Sequence, residues 1–168
     1  MSGSSPHGPA VLARAFAIAA HAGQVDKAGN PYRGHVERVA LRVQRAGYSA
    51  EHVAAAWLHD TIEDCPGVDT ALLADVGFGT DVIAAVEALT KRPDDGDRPK
   101  ESHTDAVRRA CADPIACVVK AADVADNSDP SRLEILPTEL RGRLTAKYAA
   151  ARELLDELGA PRFDRDAS

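Results

Sequence analysis

The sequence predicts an all-α, single-domain protein, and three observations carry that prediction. Aromatic residues are only 4% of a chain that is 45% hydrophobic, so alanine, valine and leucine must fill the core. Small aliphatic side chains of this kind favour closely packed helices. Apolar residues recur at helical spacing in one segment after another, and glycine and proline mark the joints between those segments. At 168 residues the chain is long enough for one domain with a real core.

The elements follow in order. Residues 1–9 are rich in serine, glycine and proline and are expected to be a disordered tail. Over residues 10–22, Val11, Leu12, Ala15, Phe16, Ile18 and Ala19 repeat at helical spacing. The stretch 23–34 reads as irregular, with Asn30-Pro31 as a turn signal. Residues 35–46 form a short helix with Val36, Val39, Ala40 and Val43 inward, stopped by Gly47. Ser49 is a candidate N-cap for a helix expected to run through Val53, Ala56, Trp57 and Leu58 into His59-Asp60-Thr61-Ile62-Glu63-Asp64, ending at Pro66-Gly67. A short helix over 69–76 closes at Gly77, another covers 80–92, and 93–101 is a polar loop. Ser102 or Thr104 starts the next helix, and Pro114 sits at the first turn of the one after, which carries Val118, Val119, Asp123 and Asn127. The longest helical pattern spans 137–158, with Gly159 and Pro161 as stop signals. Residues 160–168 are expected to fray, leaving one domain over 10–159 with seven or more helices.

A net charge of −6 and a pI of about 5.5 argue against a general nucleic-acid or anionic-membrane binder. No apolar run approaches the roughly 20 residues of a membrane span, and the N-terminus lacks the basic-then-apolar pattern of a signal peptide. Cys65, Cys111 and Cys117 are odd in number and not in metal-knuckle spacing. They read as three reduced thiols in a cytoplasmic protein.

The residues that carry chemistry are His35, His59, Asp60 and Asp123. Four ionisable groups in the hexapeptide 59–64 resist burial unless they are paired or hold a metal. His59-Asp60 follows an apolar run, as does Asp123, so two buried helices both end in acids and line one polar pocket. Mixed imidazole and carboxylate ligands suit Mn²⁺, Fe²⁺, Co²⁺ or Zn²⁺ better than Ca²⁺. Glu63 and Asp64 sit one turn beyond the ligands, placed to handle protons rather than to hold the ion. Taken singly, a His–Asp pair on a helix is more often a surface pair; it is the joining of separated pieces that points to a site.

In order and approximate spacing, His35, His59-Asp60 and Asp123 resemble the HD superfamily of metal-dependent phosphohydrolases. Within it, Ala20-His21-Ala22-Gly23-Gln24, then Asp26-Lys27-Ala28-Gly29-Asn30-Pro31-Tyr32, resembles the opening of RelA/SpoT-type ppGpp hydrolase domains. So do His59-Asp60-Thr61-Ile62-Glu63-Asp64, Gly77-Phe78-Gly79, Leu89-Thr90-Lys91, and Val119-Lys120-Ala121-Ala122-Asp123 with Asn127. The likeness spans about residues 10–158 and implies an HD-type helical bundle acting as a stand-alone small alarmone hydrolase.

The resemblance implies one metal, typically Mn²⁺, on His35, His59, Asp60 and Asp123, with Glu63 and Asp64 as the catalytic acids. It implies that Lys27 and Asn127 bind a small-molecule nucleotide, that His21 supports the loop, and that the 3′-pyrophosphate of ppGpp is released to leave GDP. Two departures stand out. Asp26 replaces an arginine that in many relatives lies against the guanine, so Asp26→Arg is expected to improve turnover at low substrate. The region 97–103 lacks the relatives' tyrosine-containing segment. Asp26 favours an alternative, an HD phosphohydrolase acting on another nucleotide or a nucleoside monophosphate. A non-catalytic nucleotide sensor is a third reading, against which all the ligands and acids are present. Neither nucleic acid nor membrane is an expected partner, and the sequence does not fix the oligomeric state.

Overall fold

The computed structural model describes residues 8–163, and they form an all-α globule of ten helical segments. In chain order these are α1 (Gly8–Ala20), α2 (Arg33–Arg45), α3 (Ala50–Leu58), α4 (Thr61–Asp64), α5 (Thr70–Val76), α6 (Thr80–Leu89), α7 (His103–Ala110), α8 (Pro114–Asn127), α9 (Pro130–Leu133) and α10 (Thr138–Glu157). Among the described residues there is no strand, only one isolated bridge between Val25 and Pro31 that ties the ends of a loop.

α3 is the central helix and packs on α1, α2, α6 and α8. Its residues Val53 through Leu58 are all buried, which is why an Ala-Ala-Ala-Trp-Leu run with no polar face is tolerated there. Small residues on both partners, Ala13 and Ala17 on α1 and Ala54 and Ala55 on α3, let helices approach closely. A second apolar cluster joins Val107, Ala121, Val124, Leu133, Leu144, Tyr148, Ala151, Leu154 and Leu155, and docks α10 against α7 and α8.

Helix ends follow local chemistry. Side chains of Asp69, Ser102, Asp113 and Asp129 each accept a backbone N–H of the turn they start. Ser49 occupies the N-cap position of α3 but makes no such bond; its hydroxyl meets His52 Nδ1 at 2.9 Å. Gly77 closes α5 at φ 104°, a left-handed conformation that costs glycine no Cβ clash.

Three expectations are corrected. The helix through 50–64 is not continuous. α3 ends at Leu58, whose carbonyl accepts the Thr61 hydroxyl at 2.8 Å, and α4 restarts after a turn at His59-Asp60. The first helix starts at Gly8, and at the other end Ala160 N bonds Leu155 O while the Phe163 ring lies 6.2 Å from that of Tyr48. The expected tails are thereby trimmed; residues 1–7 and 164–168 lie outside the described residues. Finally, Cys111 at the end of α7 and Cys117 in the first turns of α8 are paired as a disulfide, and Cys65 is a buried free thiol. The short turn between the two helices brings those Cα atoms to 4.1 Å, a proximity that sequence spacing did not reveal.

Candidate metal centre and its pocket

The expected ligands converge. His35 lies in the first turn of α2, just beyond the loop 21–32. That loop is closed by Asp26 N to Asn30 O at 2.8 Å and Tyr32 N to Gln24 O at 2.9 Å. His59 and Asp60 occupy the turn after α3, and Asp123 lies on α8. His35 Nε2 is 3.3 Å from Asp123 Oδ1 and 3.6 Å from Asp60 Oδ2. His59 Nε2 is 2.9 Å from Asp60 Oδ2 and 3.8 Å from Asp123 Oδ1. One ligand atom each from His35, His59 and Asp123 lies within 4.8 Å of the others. The break after Leu58 matters here, because it places His59 and Asp60 in a turn rather than on a regular helix wall.

Outer contacts fix the direction of each ligand. His59 Nδ1 is 2.8 Å from Ala56 O, and His35 Nδ1 is 2.8 Å from Asp126 Oδ2. A carbonyl and a carboxylate can only accept, so both Nδ1 atoms carry the hydrogen and both Nε2 atoms face the centre. His59 Nε2 is buried and makes no hydrogen bond. A buried imidazole nitrogen left in that state beside two carboxylates fits a divalent cation. Asp123 accepts Asn127 Nδ2 at 2.6 Å on one oxygen and Lys120 Nζ at 3.0 Å on the other, and Asp60 Oδ2 accepts the Tyr32 hydroxyl at 2.6 Å.

The electrostatics agree. Burial opposes charging of His35, but Asp123, Asp126 and Asp60 outweigh it and push its pKa well above the usual value. Burial likewise opposes charging of His59, and Asp60 and Asp123 overcome it. Asp60 is held well below the carboxylate range, by His59 and His35 against the effect of burial. The centre demands positive charge, which either imidazolium protons or a divalent cation can supply.

Glu63 and Asp64 flank this centre on α4 and line the same cavity of about 690 Å³. Glu63 Oε2 accepts the Lys91 N–H at 3.0 Å. Loss of water, then the nearby charges of Asp60 and Glu63, raise the Asp64 pKa. That is the direction a proton-accepting carboxylate needs.

Lys27 and Asn127 both line the cavity, but the Asn127 amide also orients the expected ligand Asp123. Asp26 has a structural task. Its Oδ1 accepts the N–H groups of Ala28 and Asn30, and its Oδ2 meets Arg132 Nη2 at 3.4 Å. An arginine at position 26 would lose both backbone bonds and face Arg132, so the expectation that Asp26→Arg improves turnover is reversed. His21 supports the loop as expected: its Nδ1 lies 2.8 Å from Gln24 Oε1, and its ring is stacked at a tilt on Tyr32, centroids 5.0 Å apart.

Sequence reasoning missed Asp126, Tyr32 and Arg132. Asp126 is completely buried, bonded to His35, to Arg38 at 2.8 and 3.2 Å, and to Arg132. It reads in sequence as a solvated helix acid. Its one signal is the i,i+3 spacing from Asp123, which puts both on the face of α8 turned to α2. Tyr32 had a signal in its place three residues before His35.

The HD domain profile matches residues 13–128 of this chain. A Mycobacterium leprae protein described as a "Probable GTP pyrophosphokinase" is 32% identical over 142 residues, covering 79% of this chain and 17% of that protein. An Aquifex aeolicus guanosine-3′,5′-bis(diphosphate) 3′-pyrophosphohydrolase is 32% identical over 114 residues, covering 67% of this chain and 16% of that one. The chain thus spans about a sixth of the length of these curated relatives. Among solved structures, one described as a metazoan ortholog of SpoT that hydrolyzes ppGpp superposes with a TM-score of 0.69 at 22% identity, over 93% of this chain and 96% of that one. At that identity the likeness speaks for the fold. The family is shown by the profile, which covers more than half of the chain and contains all four expected ligands: this protein belongs to the HD domain family.

Proposed function

We propose that this chain is a metal-dependent hydrolase that removes the 3′-pyrophosphate of ppGpp, giving GDP and pyrophosphate, with Mn²⁺ as the expected ion. The observation that carries the reading is the pair of imidazoles whose Nε2 atoms face the half-buried Asp60 and the buried Asp123, with Glu63 and Asp64 on the same cavity. The ppGpp hydrolases among its relatives support the choice of substrate.

His35, His59, Asp60 and Asp123 would hold the ion. When bound, it supplies Lewis acidity toward a phosphoryl oxygen. The chain's own residues do the rest. Asp64, with its raised pKa, and Glu63, anchored by Lys91 N–H, orient the attacking water and take its proton. Asn127 holds Asp123 in place from one turn away and presents its remaining polar atom to the sugar. Lys27 brings a positive charge to the mouth from the loop that Asp26 and Arg132 brace.

The test is direct. The Mn²⁺-loaded protein is incubated with ppGpp and with a panel of nucleoside monophosphates. Release of pyrophosphate and GDP from ppGpp is expected. Intact ppGpp together with orthophosphate release from a monophosphate would replace this reading with the second one, phosphohydrolysis of another nucleotide, which the acid at position 26 favours. No helix of the described residues is long and apolar enough to cross a membrane.

A further inference from the structure

The same cavity has a second wall whose chemistry the metal centre does not use. It is built by Lys91 just after α6, His103 at the start of α7 and Lys147 on α10, with Lys27 contributed by the loop 21–32. Lys120 is neutralised by Asp123 at 3.0 Å. Among the described residues, Lys27, Lys91 and Lys147 have no carboxylate partner, although the chain has 26 acids against 20 lysines and arginines. Placing unpaired lysines together in an acidic protein is costly unless an anion visits them.

Tyr148 gives this wall a fixed floor. It is buried at 6% exposure, Lys147 Nζ lies 5.2 Å from its ring centroid, and the His103 ring meets it edge-on at 6.1 Å. His103 Nε2 is buried and has no hydrogen-bond partner.

We propose that Lys147, His103 and Lys91, faced by Lys27, form an anion subsite that grips a phosphoryl group of the substrate other than the one attacked at the metal centre. For its substrate the inference rests on the ppGpp reading, in which the gripped group is the 5′-diphosphate. The subsite requires a nucleotide phosphorylated at two separate positions, and so disfavours nucleoside monophosphates.

The charge state suits the role. Burial, then the neighbouring charges of Lys27 and Lys91, lowers the Lys147 pKa, a repulsion that a bound anion relieves. Burial, then Lys147 and Lys120, brings His103 down to about 4. His103 is therefore neutral at pH 7, able to offer an N–H to a phosphate oxygen without adding to the repulsion.

The test compares ppGpp with guanosine 3′-diphosphate, which keeps the scissile group and lacks the 5′-phosphates, using Mn²⁺-loaded wild type, Lys147→Gln, Lys147→Arg and His103→Gln. Wild type should show a KM about tenfold lower for ppGpp, the usual size of one charge-assisted contact. In Lys147→Gln that ratio should collapse toward one, Lys147→Arg should restore most of it, and His103→Gln should narrow it. Equal KM values for the two substrates in wild type, or a Lys147→Gln variant that keeps the wild-type ratio, overturns the subsite. Binding of inorganic pyrophosphate by titration calorimetry judges the subsite if no variant turns over either substrate. A roughly tenfold weaker affinity in Lys147→Gln than in wild type then upholds the subsite while the ppGpp reading falls, and equal affinities overturn both.

Discussion

Asp126 accepts the Nδ1 hydrogen of His35 at 2.8 Å, and that bond decides which nitrogen of the imidazole faces the metal centre. The two residues are 91 positions apart and join α2 to α8. Arg38 and Arg132 hold the carboxylate in turn, and with His35 they bring its pKa down to about 2 against the effect of burial. Asp126→Asn keeps the shape and loses the charge. It is expected to weaken Mn²⁺ binding by about tenfold or more, the usual cost of removing such an outer partner. Calorimetric titration of metal into the apo-protein checks this, and an unchanged affinity would contradict the orienting role.

Asp60 is the ligand whose loss should be most complete, because its Oδ2 approaches both imidazoles and the Tyr32 hydroxyl. Asp60→Ala should abolish stoichiometric Mn²⁺ uptake. Adding Mn²⁺ should raise the melting temperature of wild type and leave that of the variant unmoved, since only a bound ligand stabilises the folded state. Full metal content in Asp60→Ala would remove Asp60 from the ligand set.

Asp64 and Glu63 separate binding from chemistry. Asp64→Asn and Glu63→Gln should each retain the metal and the fold, and each should lose about 10²- to 10⁴-fold in kcat, the range for a positioned proton acceptor. Single-turnover rates beside metal analysis test this. Near-normal turnover in either variant would free that residue from the role.

Asp26→Arg is expected to impair the protein. The change removes two backbone hydrogen bonds from the loop that presents Lys27 and sets an arginine against Arg132. A KM increase together with about 1–3 kcal/mol of lost stability is expected. Improved turnover at low substrate would show that the cation at this position matters more than the loop it would disrupt.

Arg109 pins the loop that follows α6. It donates to Glu101 at 2.8 Å twice, to Ala88 O at 2.8 Å and to Thr90 O at 2.8 Å. Its hydrogen bonds lower the Glu101 pKa from 4.5 to about 2. A depressed carboxylate stabilises the fold fully above pH 4.5, and that contribution is lost as pH falls through about 2. Glu101→Gln should therefore melt lower than wild type at pH 7, by about 1 kcal/mol or roughly 2–4 °C. The gap should close between pH 4.5 and 2. A gap independent of pH would mean that the ion pair contributes nothing.

Much of this protein was legible from local chemistry. The stops at Gly47 and Gly77, the start at Pro114 and the cap at Ser102 depend on residues within one turn, and they appear where the sequence places them. The proposed ligands His35, His59, Asp60 and Asp123 were readable because ionisable residues beside apolar runs must be paired or hold a metal. What only the tertiary structure decided is how those side chains are aimed and which neighbours are already occupied. Asp126 reads as a solvated acid until α8 packs on α2. Asp26 reads as a replaced substrate contact until Arg132, 106 positions away, is seen against it. Lys147 and His103 belong to no motif, yet α10 and α7 bring them onto one tyrosine. The reason is physical. Helix ends are set by backbone bonds between neighbours in the chain, whereas a site is set by hydrogen bonds and charges between segments that only packing brings together.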